Sequence, residues 1–314
     1  MPFNVPKCQV LPLPDNQASF QIDGRERVRW HFDTKYPRPF FYPFIGPSGD
    51  TLTRMGHPGA QNHDHHRSVW WAHAKVDGEN FWADTSKARI RQKMWLAYAD
   101  SDDEAIMATA LGWYNAAGQE LVEQVMVAAL RPAPAGEVFL ELQSTFTPVA
   151  KQVTFEQSNF GVLAVRMAKG IATYWGEGEI NSSEGAKGEP EIFGQSAAWM
   201  DYSGAVSRRV KGKRETVTEG ITYFDHEDNP SYPSHWHVRE DGWMGPSLSR
   251  HEPVVVKRES PLRVRYLLHA HAGPSDALIV NRVAQLFNAS PEFEVFKSKR
   301  KHRQFEVVRE GKGR

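Results

Sequence analysis

The sequence predicts an all-β chain: antiparallel strands in two or more stacked sheets, with few and short helices. Three observations carry this. Turn formers are abundant and spread along the whole chain, 24 glycines and 20 prolines in 314 residues. Between them lie short runs in which apolar and polar residues alternate, the pattern of a half-buried strand. Windows with helical period are scarce: residues 277–289 form one, and residues 161–169 fit a short helix or a strand.

Taken in order, residues 19–24 alternate into a turn and residues 28–32 return as the hairpin partner. Residues 36–44 are aromatic and contain Pro37, Pro39 and Pro43, so an edge strand or an extended segment is expected there. Residues 69–76 run into a turn at Asp77-Gly78, followed by Asn80-Phe81-Trp82. Strands are expected at 90–96, 105–114, 120–130 and 138–147, with turns at 115–118 and 132–136. Residues 176–185 read as a glycine-rich loop without the spacing or lysine of a phosphate-binding loop. Further strands are expected at 197–202, 216–224 and 263–271. Arg208, Arg209, Lys211, Lys213 and Arg214 read as a solvated hairpin tip. No repeat or linker interrupts the chain, so residues 1–314 read as one domain, with a core of about 15–296. The basic tail 297–314 reads as an edge strand with a frayed end.

Composition excludes several functions. Lysines and arginines number 38, as do aspartates and glutamates, so no net field draws nucleic acid. The single cysteine, Cys8, excludes an internal disulfide and a multi-cysteine zinc site. No apolar run reaches the roughly 18 residues of a membrane span. The first residues show no secretory signal. A cytoplasmic protein is expected, or a periplasmic one if a signal has been trimmed; oligomeric state is not legible.

The chemistry concentrates in one stretch, residues 56–73. It opens on Gly56-His57-Pro58-Gly59 and continues as Gln61-Asn62-His63-Asp64-His65-His66-Arg67-Ser68-Val69-Trp70-Trp71-Ala72-His73. Ionisable groups this dense beside large aromatics are costly to bury without partners, and they read as the floor of a pocket. Histidine suits acid–base work because it titrates near neutrality, and Arg67 offers an anion-binding fork. His63/His65, His235/His237 and His269/His271 are each two residues apart, which in a strand puts both rings on one face. For His269/His271 an ordinary strand suffices, with one ring inside and one at the surface. Arg166 is a lone cation in an apolar run and needs an acidic partner or ligand if buried. Asp225-His226 and Asn229-Pro230 end a strand, where sites gather and where Asx-turns also form. Trp70, Trp71, Trp82, Trp236 and Trp243 offer platforms for sugar rings, or core packing.

Several of these motifs together resemble the bacterial family often labelled "methane oxygenase PmoA". They are Tyr36-Pro37-Arg38-Pro39-Phe40-Phe41-Tyr42-Pro43, the histidine stretch, Asn159-Phe160-Gly161 with Arg166, Asn181-Ser182-Ser183-Glu184-Gly185, and residues 218–230. The resemblance spans about residues 25–270, and the histidine motif is its most specific part. It implies a β-supersandwich similar to galactose-mutarotase-like folds and a context of sugar metabolism. The label itself does not transfer, because the membrane monooxygenase subunit spans the bilayer several times and nothing here does.

Three functions are therefore expected in competition. The first is a carbohydrate-active enzyme of lyase, hydrolase or epimerase type, binding a small-molecule carbohydrate and no nucleic acid or membrane. Its acid–base candidates are His63, His65, His66, Asp225, His226 and Glu184. Its binding candidates are His57, Arg67, Trp71, Asn159, Arg166, Asn229, Trp236 and Trp243. The second is a metal-dependent oxygenase. No cofactor is expected, but a divalent metal, if bound, falls to His57, His63 and His65. The third is a non-catalytic sugar-binding module. The histidine stretch, Arg166 and the Asp225-His226 turn are expected to line one cleft.

Overall fold

The computed structural model describes residues 4–57, 59–60 and 63–311. Pro58, Gln61 and Asn62 of the histidine stretch, and the chain ends 1–3 and 312–314, lie outside the described residues.

Numbered in chain order, the strands are β1 (Cys8–Leu13), β2 (Gln17–Ile22), β3 (Arg25–His31), β4 (Phe40–Phe44), β5 (Val69–His73), β6 (Arg89–Asp100), β7 (Ala105–Tyr114), β8 (Glu120–Pro132), β9 (Val138–Pro148) and β10 (Gln152–Phe155). They continue as β11 (Gly161–Arg166), β12 (Glu179–Ser182), β13 (Trp199–Val210), β14 (Lys213–Asp225), β15 (His235–Arg239), β16 (Trp243–Ser247), β17 (Val254–Lys257), β18 (Leu262–Ala272), β19 (Phe293–Lys297) and β20 (Phe305–Arg309). Two short α-helices, α1 (Gly188–Ile192) and α2 (Ala277–Asn288), and a 3-10 turn at Pro134–Gly136 complete the described elements. The first sheet runs β1-β2-β3-β4-β5-β11-β16-β15 and the second β12-β13-β14-β18-β9-β8-β7-β6. Pairing is antiparallel throughout.

The expected all-β antiparallel class is what the chain adopts, and the alternation that predicted it builds the interior. On β5, Val69 and Trp71 face the second sheet while Trp70 and Ala72 face away. Trp71 packs at 5.9 Å from Phe146 of β9 and 6.0 Å from Tyr266 of β18, bridging the two sheets. The far side of the second sheet is covered by α2, whose Val280 and Phe287 pack on Trp199, Phe224 and Leu267. Asp276 caps that helix by accepting from the amides of Leu278 and Ile279. Gly161 opens β11 with φ +106, and a Cβ there would meet the Ala72 carbonyl oxygen at 2.9 Å. Only glycine permits this approach of β11 to β5.

Several expectations need correction. Residues 36–44 do not form an edge: β4 lies between β3 and β5. The prolines are tolerated because the strand is short and its pairing to β5 is confined to Phe40 and Phe41, away from Pro43. The loop 176–185 contains the short strand β12, paired to β13. Of the two alternatives for residues 161–169, the strand is the one formed, over Gly161–Arg166. β1 was not anticipated, although Cys8 and Val10 join the interior. The basic tail does contain an edge strand, β20, which pairs with β19 and buries Arg309; the end expected to fray, 312–314, lies outside the described residues.

Candidate functional site

The outward face of the first sheet carries the chemistry. It presents Trp70 from β5, Arg166 from β11, Trp243 from β16 and His237 from β15, each alternating with a neighbour that faces the interior. Two loops fold against this face, one formed by the described residues of 53–68 and the other by residues 77–88. Between them and the sheet lies a cavity of about 510 Å³ lined by His63, His65, His66, Asn80, Trp82, Ala83, Phe160, His237, Arg239, Asp241 and Trp243. The size and aromatic lining suit a small ligand.

Aromatic packing sets the walls. His66 stacks on Trp70 at 5.4 Å, Trp82 meets Phe160 at 4.6 Å and Trp243 at 5.8 Å, and His237 meets Trp243 at 4.3 Å. Four histidines follow one another across the mouth: His57 to His63 at 5.3 Å, His63 to His66 at 5.3 Å, and His65 to His66 at 4.3 Å. His63 and His65 do not sit on a strand as their spacing suggested. They lie in a tight turn in which the His66 amide bonds the His63 carbonyl at 3.0 Å. The turn still brings their rings within 5.9 Å.

Two charged assemblies hold the loops in place. Arg166, 0% exposed, donates to both oxygens of Asp241 at 2.6 and 3.1 Å. Asp241 also meets His57 Nε2 at 3.1 Å, and its main-chain carbonyl accepts from Arg54 at 2.9 Å. In the second assembly Asp84 accepts from Arg67 and, at 3.2 Å, from Arg38. Arg38, buried to 1% exposure, also donates to the carbonyls of His65, Phe81 and Trp82. It ties the histidine turn to the Trp82 loop.

These surroundings set the protonation states. Burial pushes the His66 imidazole far down, and His65 and Arg166 add to the effect. Burial likewise lowers His237 to about 3, with Arg239 and Arg250 contributing, and lowers His63, with His57 contributing. Burial opposes the charge on Asp241, but the Arg166 guanidinium outweighs it and holds the carboxyl below its usual range. At neutral pH the pocket thus combines neutral imidazoles with one ionised carboxylate.

A stability prediction follows. Burial also lowers His73 and His226 to about 4 from an ordinary value of 6.5. Between about pH 6.5 and pH 4 the unfolded chain therefore binds protons that the folded chain refuses, and stability falls as pH falls through that window. Asp225, raised by burial to about 6, works the other way and offsets only part of the loss. Urea midpoints measured from pH 7 to pH 4 are expected to decline steadily. A flat profile would show that the buried histidines admit water.

The expected residues divide. His57, His63, His65, His66, Arg166 and Trp243 converge as anticipated. Arg67 is close by, but its fork is taken by Asp84. Trp71 and Trp236 instead face the interior: Trp236 bonds the Ala197 carbonyl at 2.8 Å and packs on Tyr223. Period-two alternation puts them opposite Trp70 and His237. Asn159 is exposed, and its carbonyl serves Ser247. Glu184 is exposed in the turn after β12, bonded to its neighbour Ser183.

Asp225, His226 and Asn229 do not join the cleft. They belong to the second sheet, where Asn229 bonds Asp225 at 2.7 Å and both main-chain polar groups of Arg265 at 2.8 Å. His226 meets Arg265 at 2.8 Å and packs on Phe287 of α2. Their density of polar groups is that of a satisfied loop staple. His269 and His271 share one face of β18, but both are buried and each meets a carboxylate, Glu137 or Asp201, at 2.8 Å.

Asp241, Arg54, Arg38, Asp84, Phe160 and Arg239 went unforeseen. Only Arg38 carried a usable signal, a lone cation inside an aromatic segment. Among the described residues no three His, Cys, Asp or Glu side chains are placed to hold a metal ion, so the set His57, His63 and His65 is not arranged as a ligand triad. No helix among the described residues is long and apolar enough to cross a membrane.

The model of a family of unknown function, DUF6807, matches residues 17–285, from the start of β2 into α2, and so takes in the whole pocket. No curated protein matches the chain. Nothing in these comparisons links it to the family labelled methane oxygenase.

Proposed function

We propose that this chain, which belongs to the DUF6807 family of unknown function, is a carbohydrate-active enzyme that moves a proton to and from a carbon of its sugar substrate, in the manner of a lyase or epimerase. One observation carries the reading: an aromatic-walled pocket that sets the neutral imidazoles of His63, His66 and His237 beside a single carboxylate locked by Arg166, with Arg239 at one end. Trp82, Trp243 and Phe160 offer faces on which a pyranose ring stacks through its C–H bonds. The imidazole of His63 or His65 acts as base, taking a proton from a carbon next to a carbonyl; burial leaves His66 too weak a base for that role. The nearby guanidiniums favour the enolate that forms. Hydrolysis by paired carboxylates is less well served. That chemistry needs two carboxyl groups about the scissile bond, and Asp241 is the one carboxylate among the described lining residues, already spanned by Arg166.

The test is proton exchange with solvent. Sugars and their keto and acid derivatives, incubated with the protein in D2O and followed by NMR, are expected to gain deuterium at one carbon. Exchange is expected to fall at least a hundredfold in His63→Ala or His65→Ala, with the fold intact by circular dichroism. A sugar that binds without exchanging under any condition would leave a binding module and not an enzyme.

A further inference from the structure

At the β15 end of the pocket the positive charge exceeds what the protein neutralises. Arg239 lines the cavity and pairs with Glu189. Behind it Arg250 lies over the same Phe193 ring: the two guanidiniums are 5.1 and 5.2 Å from its centre. Phe193 in turn packs at 4.8 Å from the pocket residue His237. The Arg250 guanidinium has no carboxylate partner among the described residues, and its buried Nη1 has no acceptor. A buried guanidinium nitrogen without an acceptor is costly. Its planar fork matches a carboxylate.

The remaining charges do not restore the balance. Arg166 takes the Asp241 carboxylate while Arg54 bonds only its main-chain carbonyl, and Arg38 and Arg67 share Asp84. Two carboxylates thus stand against four guanidiniums. Asp64, exposed, lies outside the lining. Burial, with Arg166 second, lowers Arg54 to about 10, as expected where cations crowd. Nε1 of Trp243, an N–H donor, is also buried without a partner, so this wall has an N–H to spare for an acceptor-rich group.

We propose that the ligand of this pocket is an acidic sugar, one carrying a carboxylate such as a uronate, with the carboxylate directed to the Arg239–Arg250 end and the ring against Trp82 and Trp243. The proposal rests on the carbohydrate reading above and narrows it to one chemical class. A carboxylate there would meet Arg239, which lines the cavity, and would lie in the field of the uncompensated Arg250 behind it. For a uronate, the proton next to the carboxylate is the one a neutral imidazole would take.

Tryptophan fluorescence, reporting from Trp82 and Trp243, follows the test. The probes are D-glucuronate against D-glucose and D-galacturonate against D-galactose, at pH 7 and low salt. Each acid is expected to bind at least tenfold tighter than its neutral partner, and 0.5 M sodium chloride to erase most of the difference. Arg250→Gln is expected to weaken the acids about tenfold and leave the neutral sugars unchanged, with an unaltered melting temperature confirming the fold. Neutral sugars binding as tightly as the acids would overturn the acidic class and leave the carbohydrate reading standing. So would equal weakening of both kinds by Arg250→Gln. Failure of all four sugars to bind would count against both.

Discussion

Asp241→Ala is expected to cost about 3–5 kcal/mol of stability, the usual loss when one partner of a buried ion pair is removed. Arg166 is 0% exposed, and Asp241 takes both of its terminal nitrogens. Without the carboxylate, a guanidinium stays inside the protein with no counter-ion. His57 loses its anchor at the same time, so sugar affinity is expected to fall in whatever remains folded. Urea unfolding followed by tryptophan fluorescence checks the first effect. The double variant Asp241→Leu/Arg166→Met, which removes both charges, is expected to recover most of the stability and none of the binding. A single variant within 1 kcal/mol of wild type would mean that water reaches Arg166 and that the pair is not the foundation of the pocket.

Glu141→Ala is expected to have the larger effect on stability and none on the pocket. Glu141 is 0% exposed on the second sheet and accepts from Arg265 at 2.9 Å and from Arg309 at 2.8 Å. Burial opposes its charge, but the two guanidiniums, Arg309 foremost, hold its carboxyl below the usual range. Alanine leaves two buried cations without that partner, and Arg309 lies on β20, so the terminal hairpin is expected to loosen from the sheet. The loss should be at least the roughly 3–5 kcal/mol of one broken buried pair. Calorimetry would show it as a melting temperature lower by many degrees. Glu141→Gln, which keeps an acceptor but not the charge, is expected to fall between. An unchanged melting temperature for alanine would show that Glu104, which also bonds Arg309, carries the hairpin alone.

Much of the fold was legible because strand alternation and turns are local signals. β7 was expected at residues 105–114 and occupies them, and α2 was expected within one residue of its bounds. β4 was misjudged because its prolines argue locally against an interior strand, whereas the outcome depends on which of its residues the neighbours pair with. The site was half legible. Histidine density and a lone buried cation marked His63, His65, His66 and Arg166. Asp241 carried no mark, since an aspartate before glycine reads as a turn until Arg166 is seen to reach it. Asp225 and His226 showed the same signs in the sequence as the candidate site and form a staple instead, because partners supplied by distant strands decide whether polar density is used up. Trp70 and Trp71 could not be separated until the facing of β5 was known.

That last pair has a wider consequence. Adjacent residues on β5 answer to different demands: Trp71 to the cohesion of the two sheets, Trp70 to the floor beneath His66. The same partition runs along β15, with Trp236 inward and His237 outward. On these two strands the pocket wall can therefore change at every second position while the intervening positions stay under constraint. β11 is the exception, because its outward Arg166 also carries the ion pair with Asp241 on which the fold depends.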